Sequence, residues 1–149
     1  MPLKSLLKAD LVLAKQYIVS KKRILENIAE VAANRLHCDK LAIYEAMLDR
    51  EKLGSTGIGN GIAIPHCRLE SANHTAVVVL SLQSAIDFDS VDKKPIDLSF
   101  ALIVPPQECN QHLATLAAIA ELAQSDDILS KLRAADTNEA LFTALDSLL

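Results

Sequence analysis

The hydrophobic residues of the first third of the chain recur at helical spacing. Behind Ser20, a residue type favoured at N-caps, this spacing predicts an amphipathic helix over 21–37. Asp39 can cap a second helix, and Gly54 is a natural stop for it. Arg50 then falls in the last turn of that second helix. Its predicted buried stripe consists of Leu41, Tyr44, Met47 and Leu48.

The middle of the chain contains apolar runs that are typical of strands. Residues 62–66 predict a short strand. Because Pro65 cannot donate to a β-ladder, this strand should lie at an edge of the sheet or end at Pro65. The runs 76–82 and 96–104 are continuously apolar, which predicts central strands covered on both faces. The polar segment 83–95 between them predicts a connection rich in turns.

The last third of the chain returns to helical spacing. Asn110 is a candidate N-cap for a helix that reaches about residue 124, and Asp126 can cap another. Asp136 with Glu139 resembles a capping box for a final helix. The predicted buried stripe of the first of these helices consists of Leu113, Leu116, Ala117, Ala120 and Ala123. The order of helices, strands and helices predicts an α/β fold, with a mixed β-sheet of about five strands flanked by helices on both faces.

Composition restricts the class of protein. A length of 149 residues predicts a single domain, 1–149, and the low aromatic content of 3% predicts an aliphatic core. The net charge of −4 argues against nucleic acid as a general partner. No apolar run approaches the roughly 18 residues that span a bilayer, and no signal peptide is evident. Three irregularly spaced cysteines fit a reducing compartment, so we expect a cytoplasmic protein without direct membrane insertion.

One loop carries the candidate chemistry. All four glycines of the chain lie within 54–61, and a short apolar run then leads to His66 directly behind Pro65. Glycines allow backbone N–H groups to approach an anion closely. The candidate phosphate-binding residues are therefore Ser55, Thr56, Gly57 and Gly59, although local turn bonding is an alternative role for the two hydroxyl groups.

Two further side chains can complete an anion site around His66. His112 falls in the first turn of the helix that Asn110 would begin, where the helix dipole disfavours imidazolium and attracts anions. Arg50 can supply a fixed positive charge, unless it is only a solvated charge at a helix end. A neutral imidazole can attack a phosphoryl group, so nucleophilic histidine chemistry is the hypothesis. We expect His37 to be a structural residue at a helix end.

The sequence lacks the defining residues of several other binding and catalytic motifs. The residues after Gly61 lack the lysine of a P-loop and the helix of a dinucleotide fold, and no nucleophile elbow is present. A zinc site could be assembled from His66, Cys67, His74, Cys109 and His112. Alternation along a strand sends His66 and Cys67 to opposite faces, however, and no Cys-x-x-Cys occurs. We therefore expect neither a metal ion nor a cofactor.

Residues 48–66 read Leu-Asp-Arg-Glu-Lys-Leu-Gly-Ser-Thr-Gly-Ile-Gly-Asn-Gly-Ile-Ala-Ile-Pro-His. This run resembles the active-site signature of the fructose/mannitol class of IIA proteins of the bacterial phosphotransferase system, and is most similar to the nitrogen-regulatory branch. The resemblance implies phosphorylation of His66 on Nε2, with Nδ1 held by a nearby acceptor. It implies that Arg50 stabilises the phosphate and that His112 is the second histidine of the site. Cys67 departs from the glycine that often follows the histidine in this family.

The resemblance also implies a function. The chain would be a phosphocarrier that accepts a phosphoryl group from an HPr-like nitrogen phosphocarrier protein. Its phosphorylation state would regulate nitrogen- and potassium-related targets, such as potassium transport or sensor kinase components. One alternative is a sugar-specific IIA component that passes phosphate to a IIB domain. Another is a protein-binding module that is never phosphorylated.

Overall fold

The computed structural model describes residues 2–149, apart from the side chains of Pro2, Cys109 and Asn110. It confirms a mixed β-sheet flanked by helices on both faces, with six strands where the sequence predicted about five. The strands are β1 Val12–Gln16, β2 Gly57–Gly59, β3 Ile62–Ala63, β4 His66–Arg68, β5 Ala76–Ile86 and β6 Ile96–Val104. The helices are α1 Pro2–Leu6, α2 Lys21–Leu36, α3 Lys40–Lys52, α4 Cys109–Leu122, α5 Asp126–Ala134 and α6 Asn138–Leu148. Two 3₁₀ turns lie at Ala9–Leu11 and Pro106–Glu108.

Strand β6 is the centre of the sheet. It pairs antiparallel with β5 along one side, and β5 in turn pairs parallel with β1. Along its other side β6 pairs parallel with β3 and then with β4. The short strand β2 closes the sheet against β3 in an antiparallel hairpin. Strands β3 and β4 therefore follow one another along the same side of β6.

The predicted strand over 62–66 is interrupted at Pro65. Ala63 pairs with Ser99 and His66 pairs with Leu102, so the register with β6 is the same on both sides of the break. Pro65 has no N–H to donate, but its carbonyl accepts from the N–H of Leu102 at 2.9 Å. The expectation that the strand ends at this proline is confirmed, whereas the expectation of one continuous strand is wrong.

Alternate side chains of the two long strands enter two separate hydrophobic layers. Val78 and Leu80 of β5 pack with α2 and α3, whereas Val77 and Val79 pack on the opposite face with α4, α5 and α6. This arrangement confirms that both runs are central strands covered on two faces. Strand β5 continues to Ile86, so the predicted connection over 83–95 begins too early. Residues 83–85 are exposed, which hides their strand character in the sequence.

Capping side chains define most helix starts. Ser20 accepts from the N–H of Arg23 and Asp39 accepts from the N–H of Ala42, as predicted. The predicted caps of the last two helices each lie one residue away from the residue that caps the helix in the structure. Ser125, rather than Asp126, caps α5, and Thr137, rather than Asp136, caps α6. In both cases the hydroxyl oxygen accepts the N–H three residues later, and the predicted acid lies beside the true cap.

Helix α4 presents a different face to the core from the predicted one. The helix begins at Cys109, so Asn110 lies inside it and Glu108 occupies the N-cap position without a side-chain cap bond. Leu113 is 66% exposed and Leu116 is only partly buried. The buried residues of α4 and its C-cap are Thr115, Ile119, Leu122 and Ala123. Thr115 can be buried because its hydroxyl donates to the carbonyl of Gln111 at 2.9 Å, which satisfies a polar group that the pattern treats as solvent-facing.

Helix α3 shows a related error. Met47 is buried as predicted, but Leu41 is 58% exposed and Ile43 takes its place in the core. The buried face of this helix also contains Glu51, a charged residue. A buried charge is uncommon unless it is paired, so hydrophobic spacing alone gives the helix the wrong orientation. Among residues 2–149, no helix is both long and apolar enough to cross a bilayer.

The crowded glycines build the hairpin of β2 and β3. Asn60 and Gly61 connect the two strands with φ values of 55° and 77°, which is the pattern of a type I′ turn. The side chain of Arg133 donates to the carbonyl of Asn60 and pairs with Asp97, so α5 is tied to this turn. A β-carbon on Gly61 would lie 2.5 Å from Nη2 of Arg133 and 2.9 Å from Oδ1 of Asp97.

We therefore predict that Gly61→Ala lowers the free energy of unfolding by about 1–3 kcal/mol, because the turn needs positive φ and lacks room for a methyl group. Urea denaturation followed by circular dichroism measures the change. Gln83→Ala, at an exposed position of β5, is the control and should change stability by less than about 0.5 kcal/mol. Equal stability of Gly61→Ala and the control would contradict this account of the turn.

Candidate functional site

His66 opens β4 directly after the proline break and is half-buried. Its Nδ1 lies 2.7 Å from the carbonyl oxygen of Ile64. A carbonyl can only accept, so the proton of the neutral ring is on Nδ1 and the lone pair is on Nε2. The sequence predicts a nucleophilic histidine at this position. The geometry leaves Nε2 as the ring nitrogen with a lone pair available for attack on an electrophile.

His112 of α4 lies beside His66. The ring centroids are 5.4 Å apart and the ring planes are tilted by 55°. Nδ1 of His112 is buried and has no hydrogen-bond partner among the described residues. A proton on that nitrogen would be an unpaired buried donor, so the favoured neutral tautomer has its proton on Nε2. His112 can therefore offer an N–H donor through Nε2.

Arg50 completes the group that the sequence predicted. It lies in the last turn of α3, and its Nη1 donates to the carbonyl oxygen of Gly54 at 2.8 Å. Arg50, His66 and His112 line one cavity of about 280 Å³. Three side chains that are distant in sequence are thus brought together around one opening.

A neighbouring cavity of about 260 Å³ connects His66 and Arg50 to the glycine-rich loop. Ser55 and Thr56 line it, whereas Gly57 and Gly59 are not among its lining residues. Apolar side chains from the loop, the segment between β3 and β4, and α4 form the rest of its wall: Ile58, Ile64, Leu116 and Ala120.

The polar groups of this loop already have partners within the protein. The hydroxyl of Ser55 donates to the carbonyl of Phe88 at 2.7 Å and accepts the N–H of Gly57 at 3.0 Å. The N–H of Thr56 donates to Glu51 at 3.2 Å, and its hydroxyl is bonded to the same carboxylate. In this structure these donors shape the loop, and their role as phosphate ligands stays a prediction.

Gly57 is a glycine for reasons of space. A β-carbon at this position would collide with the side chain of Ser90, which packs directly on it. The carbonyl of Gly57 also accepts the N–H of Val91 at 3.3 Å. The loop therefore packs against the segment that connects β5 to β6. This contact fixes the cavity wall that the loop forms.

Burial lowers the pKa of His66, and the nearby positive charge of Arg50 lowers it further. The hydrogen bond to Ile64 and the charge of Glu51 act in the opposite direction, but the net direction is downward. Burial also lowers the pKa of His112, and the charge that His66 would carry if protonated and the charge of Arg68 lower it further. Both imidazoles are therefore neutral at pH 7, which is the state that a histidine nucleophile needs.

Two residues of this neighbourhood were missed by the sequence analysis. Arg68 lines the cavity with His66 and His112 and lies two residues after His66 on β4, so strand alternation could have indicated it. Glu51 is buried beneath the loop and pairs with Lys21 at 2.9 Å. The only signal for Glu51 was its position next to Arg50 in the signature.

Of the other cysteines and histidines that the structure describes, Cys67 lines the cavity of His66 and His112. Burial raises the pKa of Cys67 to about 12, so its thiol stays protonated, and its side chain packs in the layer of α2 and α3. His37 is the C-cap of α2 with φ of 55°, which confirms its place at a helix end. His74 is exposed and contacts Asn73. The side chain of Cys109 lies outside the described residues, and the side chains within them form no cluster able to hold a metal ion.

Comparison with known proteins places this geometry in context. The sequence model of the family described as phosphoenolpyruvate-dependent sugar phosphotransferase system, EIIA 2, matches residues 5–147. The nitrogen regulatory protein of Escherichia coli (strain K12) is 45% identical over 141 residues, which cover 94% of this chain and 86% of that protein. The nitrogen regulatory protein of Pseudomonas aeruginosa is 48% identical over 124 residues, covering 83% and 80%. The crystal structure of nitrogen regulatory protein IIA-Ntr from Neisseria meningitidis superposes with a TM-score of 0.91 at 28% identity, covering 97% and 99% of the two chains.

The two histidines should titrate below the ordinary histidine value of about 6.5 when followed by NMR of their ring protons. Arg50→Gln should raise the pKa of His66, because it removes a positive charge that lowers it. Arg68→Gln should raise the pKa of His112. It is the matched control for Arg50→Gln because it also removes a positive charge but should not raise the pKa of His66. A His66 pKa above the ordinary value, or one insensitive to Arg50→Gln, would contradict the electrostatic picture.

Proposed function

Because this chain belongs to the EIIA 2 family of the phosphoenolpyruvate-dependent sugar phosphotransferase system, we propose that it is a phosphocarrier that holds a phosphoryl group on Nε2 of His66. The observation that carries the proposal is the hydrogen bond between Nδ1 and the carbonyl of Ile64. It leaves the lone pair on Nε2, in a ring that burial keeps neutral. The family membership supports a phosphotransfer role, and this geometry supports the choice of atom.

The transfer step needs no bound cofactor. The lone pair of Nε2 attacks the phosphorus of a phosphohistidine on the donor protein, and a new N–P bond forms. The N–P bond of the donor breaks, and its electron pair returns to the donor imidazole. His66 becomes a phosphorylated, positively charged ring that keeps its proton on Nδ1, where the carbonyl oxygen of Ile64 stabilises it.

Arg50 and His112 would act on the phosphoryl oxygens. A guanidinium at the rim neutralises negative charge as the phosphoryl group passes between two nitrogens. The Nε2–H of a neutral His112 adds a hydrogen bond without adding charge. Ser55, Thr56, Gly57 and Gly59 would contribute only if the loop exchanged some of its internal hydrogen bonds for bonds to phosphate.

The surface around the cavities suits a protein partner. Leu113 is 66% exposed, Leu53 is 85% exposed and Ile58 is 38% exposed. Leu53 and Ile58 each line one of the two cavities that contain His66, and Leu113 follows His112 on α4. Exposed apolar side chains grouped in this way are typical of docking sites. We assign this face to an HPr-like nitrogen phosphocarrier protein as the donor.

The regulatory part of the proposal rests on the relatives. Both curated relatives described above are nitrogen regulatory proteins, which supports a regulatory IIA role for this chain. We extend this to nitrogen- and potassium-related targets, including potassium transport or sensor kinase components, that would bind one phosphorylation state in preference to the other. The setting of such an exchange is cytoplasmic.

Phosphoryl transfer in vitro tests the proposal. The protein is mixed with labelled phosphocarrier proteins from a nitrogen chain and from a sugar chain, and acid-labile phosphate on the protein is measured. We expect rapid labelling by the nitrogen carrier and complete loss of labelling in His66→Ala. His74→Ala, which alters an exposed histidine outside the site, is the control and should label normally.

Labelling that survives in His66→Ala would refute the assignment of the acceptor. Faster labelling by the sugar carrier would favour a sugar-specific IIA component, and absence of labelling by either carrier would favour a protein-binding module. Arg50→Gln should keep the label on His66 but slow its transfer by about 100-fold, the cost of losing a preorganised charge. An unchanged rate of transfer would show that Arg50 takes no part in the transfer step.

A further inference from the structure

Glu51 is the one charged side chain that is buried among residues 2–149, with 4% of its side chain exposed. Its carboxylate receives Nζ of Lys21 at 2.9 Å and the N–H of Thr56 at 3.2 Å. The hydroxyl of Thr56 is bonded to its other oxygen. A buried carboxylate is costly to desolvate, and an apolar residue of similar size is often as stabilising. Its presence therefore needs a reason beyond stability.

The bonds of Glu51 continue to the reactive histidine. Thr56, held by Glu51 through its N–H and its hydroxyl, accepts the N–H of Ile64 at 2.9 Å with its own carbonyl. The carbonyl of Ile64 in turn accepts from Nδ1 of His66. Two residues, Thr56 and Ile64, thus link the buried charge of Glu51 to the imidazole through their hydrogen bonds and their backbone.

The hydrogen bonds of Ile64 itself run to Thr56 and His66 rather than to β6, so this series helps to set the position of its carbonyl. Ile64 lies in the interruption between β3 and β4, next to Pro65, where regular pairing with β6 stops. Its own N–H is bonded to Thr56 rather than to β6. A shift of Thr56 would therefore move the carbonyl away from Nδ1, and hydrogen bonds weaken steeply as distance and angle depart from their optimum.

The consequence for His66 is chemical. A neutral imidazole can hold its proton on either nitrogen, and the hydrogen bond at one nitrogen decides which. Without the Ile64 carbonyl in place, part of the population would move its proton to Nε2 and lose the lone pair there. We propose that Glu51 is a positioning residue which, through Thr56 and Ile64, keeps the proton of His66 on Nδ1. The link from this tautomer to transfer rate rests on the proposed function.

The backbone of Glu51 also holds the loop that orients the cation of the site. Glu51 follows Arg50 directly, and its carbonyl accepts the N–H of Gly54 at 3.1 Å. The carbonyl of Gly54 holds the guanidinium of Arg50. One residue therefore fixes the loop that carries the arginine's partner and the loop residue that orients the histidine.

A purely structural clasp is the competing explanation. Glu51 joins α3 to α2 through Lys21, and such a contact could serve stability alone. The two explanations differ in what they predict for the ring of His66. A clasp changes the free energy of unfolding without changing the tautomer of the folded protein, whereas a positioning residue changes the tautomer itself.

The experiment measures the ring tautomer by ¹⁵N NMR of the imidazoles in the unphosphorylated full chain. Glu51→Leu removes the carboxylate at similar volume, and Thr56→Val removes only the hydroxyl that bonds to it. Thr56→Ser restores that hydroxyl. Asp97→Asn is the matched control, because Asp97 also joins two elements through a partly buried ion pair, with Arg133 at 2.9 Å, and has no bond in the series that leads to Ile64.

We expect the Nδ1–H form of His66 to be dominant in the unaltered protein and in Thr56→Ser. It should be reduced in Glu51→Leu and in Thr56→Val, with phosphoryl transfer to His66 slower by about 10- to 100-fold, as for a misplaced reacting group. Asp97→Asn should lower stability but leave the tautomer unchanged.

An unchanged tautomer in the folded variants would overturn the proposal, even if their stability fell. If Glu51→Leu does not fold, Thr56→Val with its Thr56→Ser partner decides the question alone. Because the NMR measurement needs no phosphate donor, its outcome is separate from the transfer assay. A shifted tautomer in a protein that no carrier phosphorylates would sustain the positioning role and refute the phosphocarrier function.

Discussion

The chemistry of this site depends on a single hydrogen bond from Nδ1 of His66 to the carbonyl of Ile64. That bond spans Pro65, at the interruption between β3 and β4. The register with β6 resumes at His66 as if no residue had been skipped. The interruption therefore leaves the ring beside the Ile64 carbonyl without loosening the strand that carries the histidine, at an edge of the sheet.

The edge position explains how residues from both helical layers reach one opening. Arg50 comes from α3, which packs on one face of the sheet, and His112 comes from α4, which packs on the other. Strand β4 has β6 on one side and no strand on its other side among the described residues. His66 can thus meet side chains from both faces while one side of it remains open, and a reactive group that must serve a donor and an acceptor needs that access.

Much of this arrangement follows from local signals in the sequence. Ser20 and Asp39 cap helices because their side chains satisfy N–H groups that lie three residues ahead, and such caps are visible in the sequence. The continuous apolar runs predict the two central strands because a strand covered on both faces is apolar throughout. These elements place Arg50 at a helix end and His66 at a strand start, so the convergence of the two could be anticipated.

The features that the sequence did not reveal are those in which polar groups are satisfied within the protein. Thr115 turns inward because its hydroxyl bonds to its own helix, and this rotates the exposed face of α4. Glu51 turns inward because Lys21 and Thr56 neutralise and bond it. The glycines that the sequence offers as a cradle for an anion also make room for a tight hairpin and for Ser90, and their role towards an anion stays a prediction. Hydrophobic spacing cannot report any of these, because each depends on a partner distant in space or on backbone geometry.

The order of the strands has a consequence for synthesis of the protein. Strand β4 is made before β5 and β6, yet β6 is its only pairing partner among the described strands. His66 therefore leaves the ribosome well before the strand that will anchor it, and α4 with His112 follows later still. A nascent or truncated chain that lacks β6 has the complete glycine-rich signature but no edge on which to fix the imidazole. The geometry of the site is thus completed only after β6 and α4 have been made.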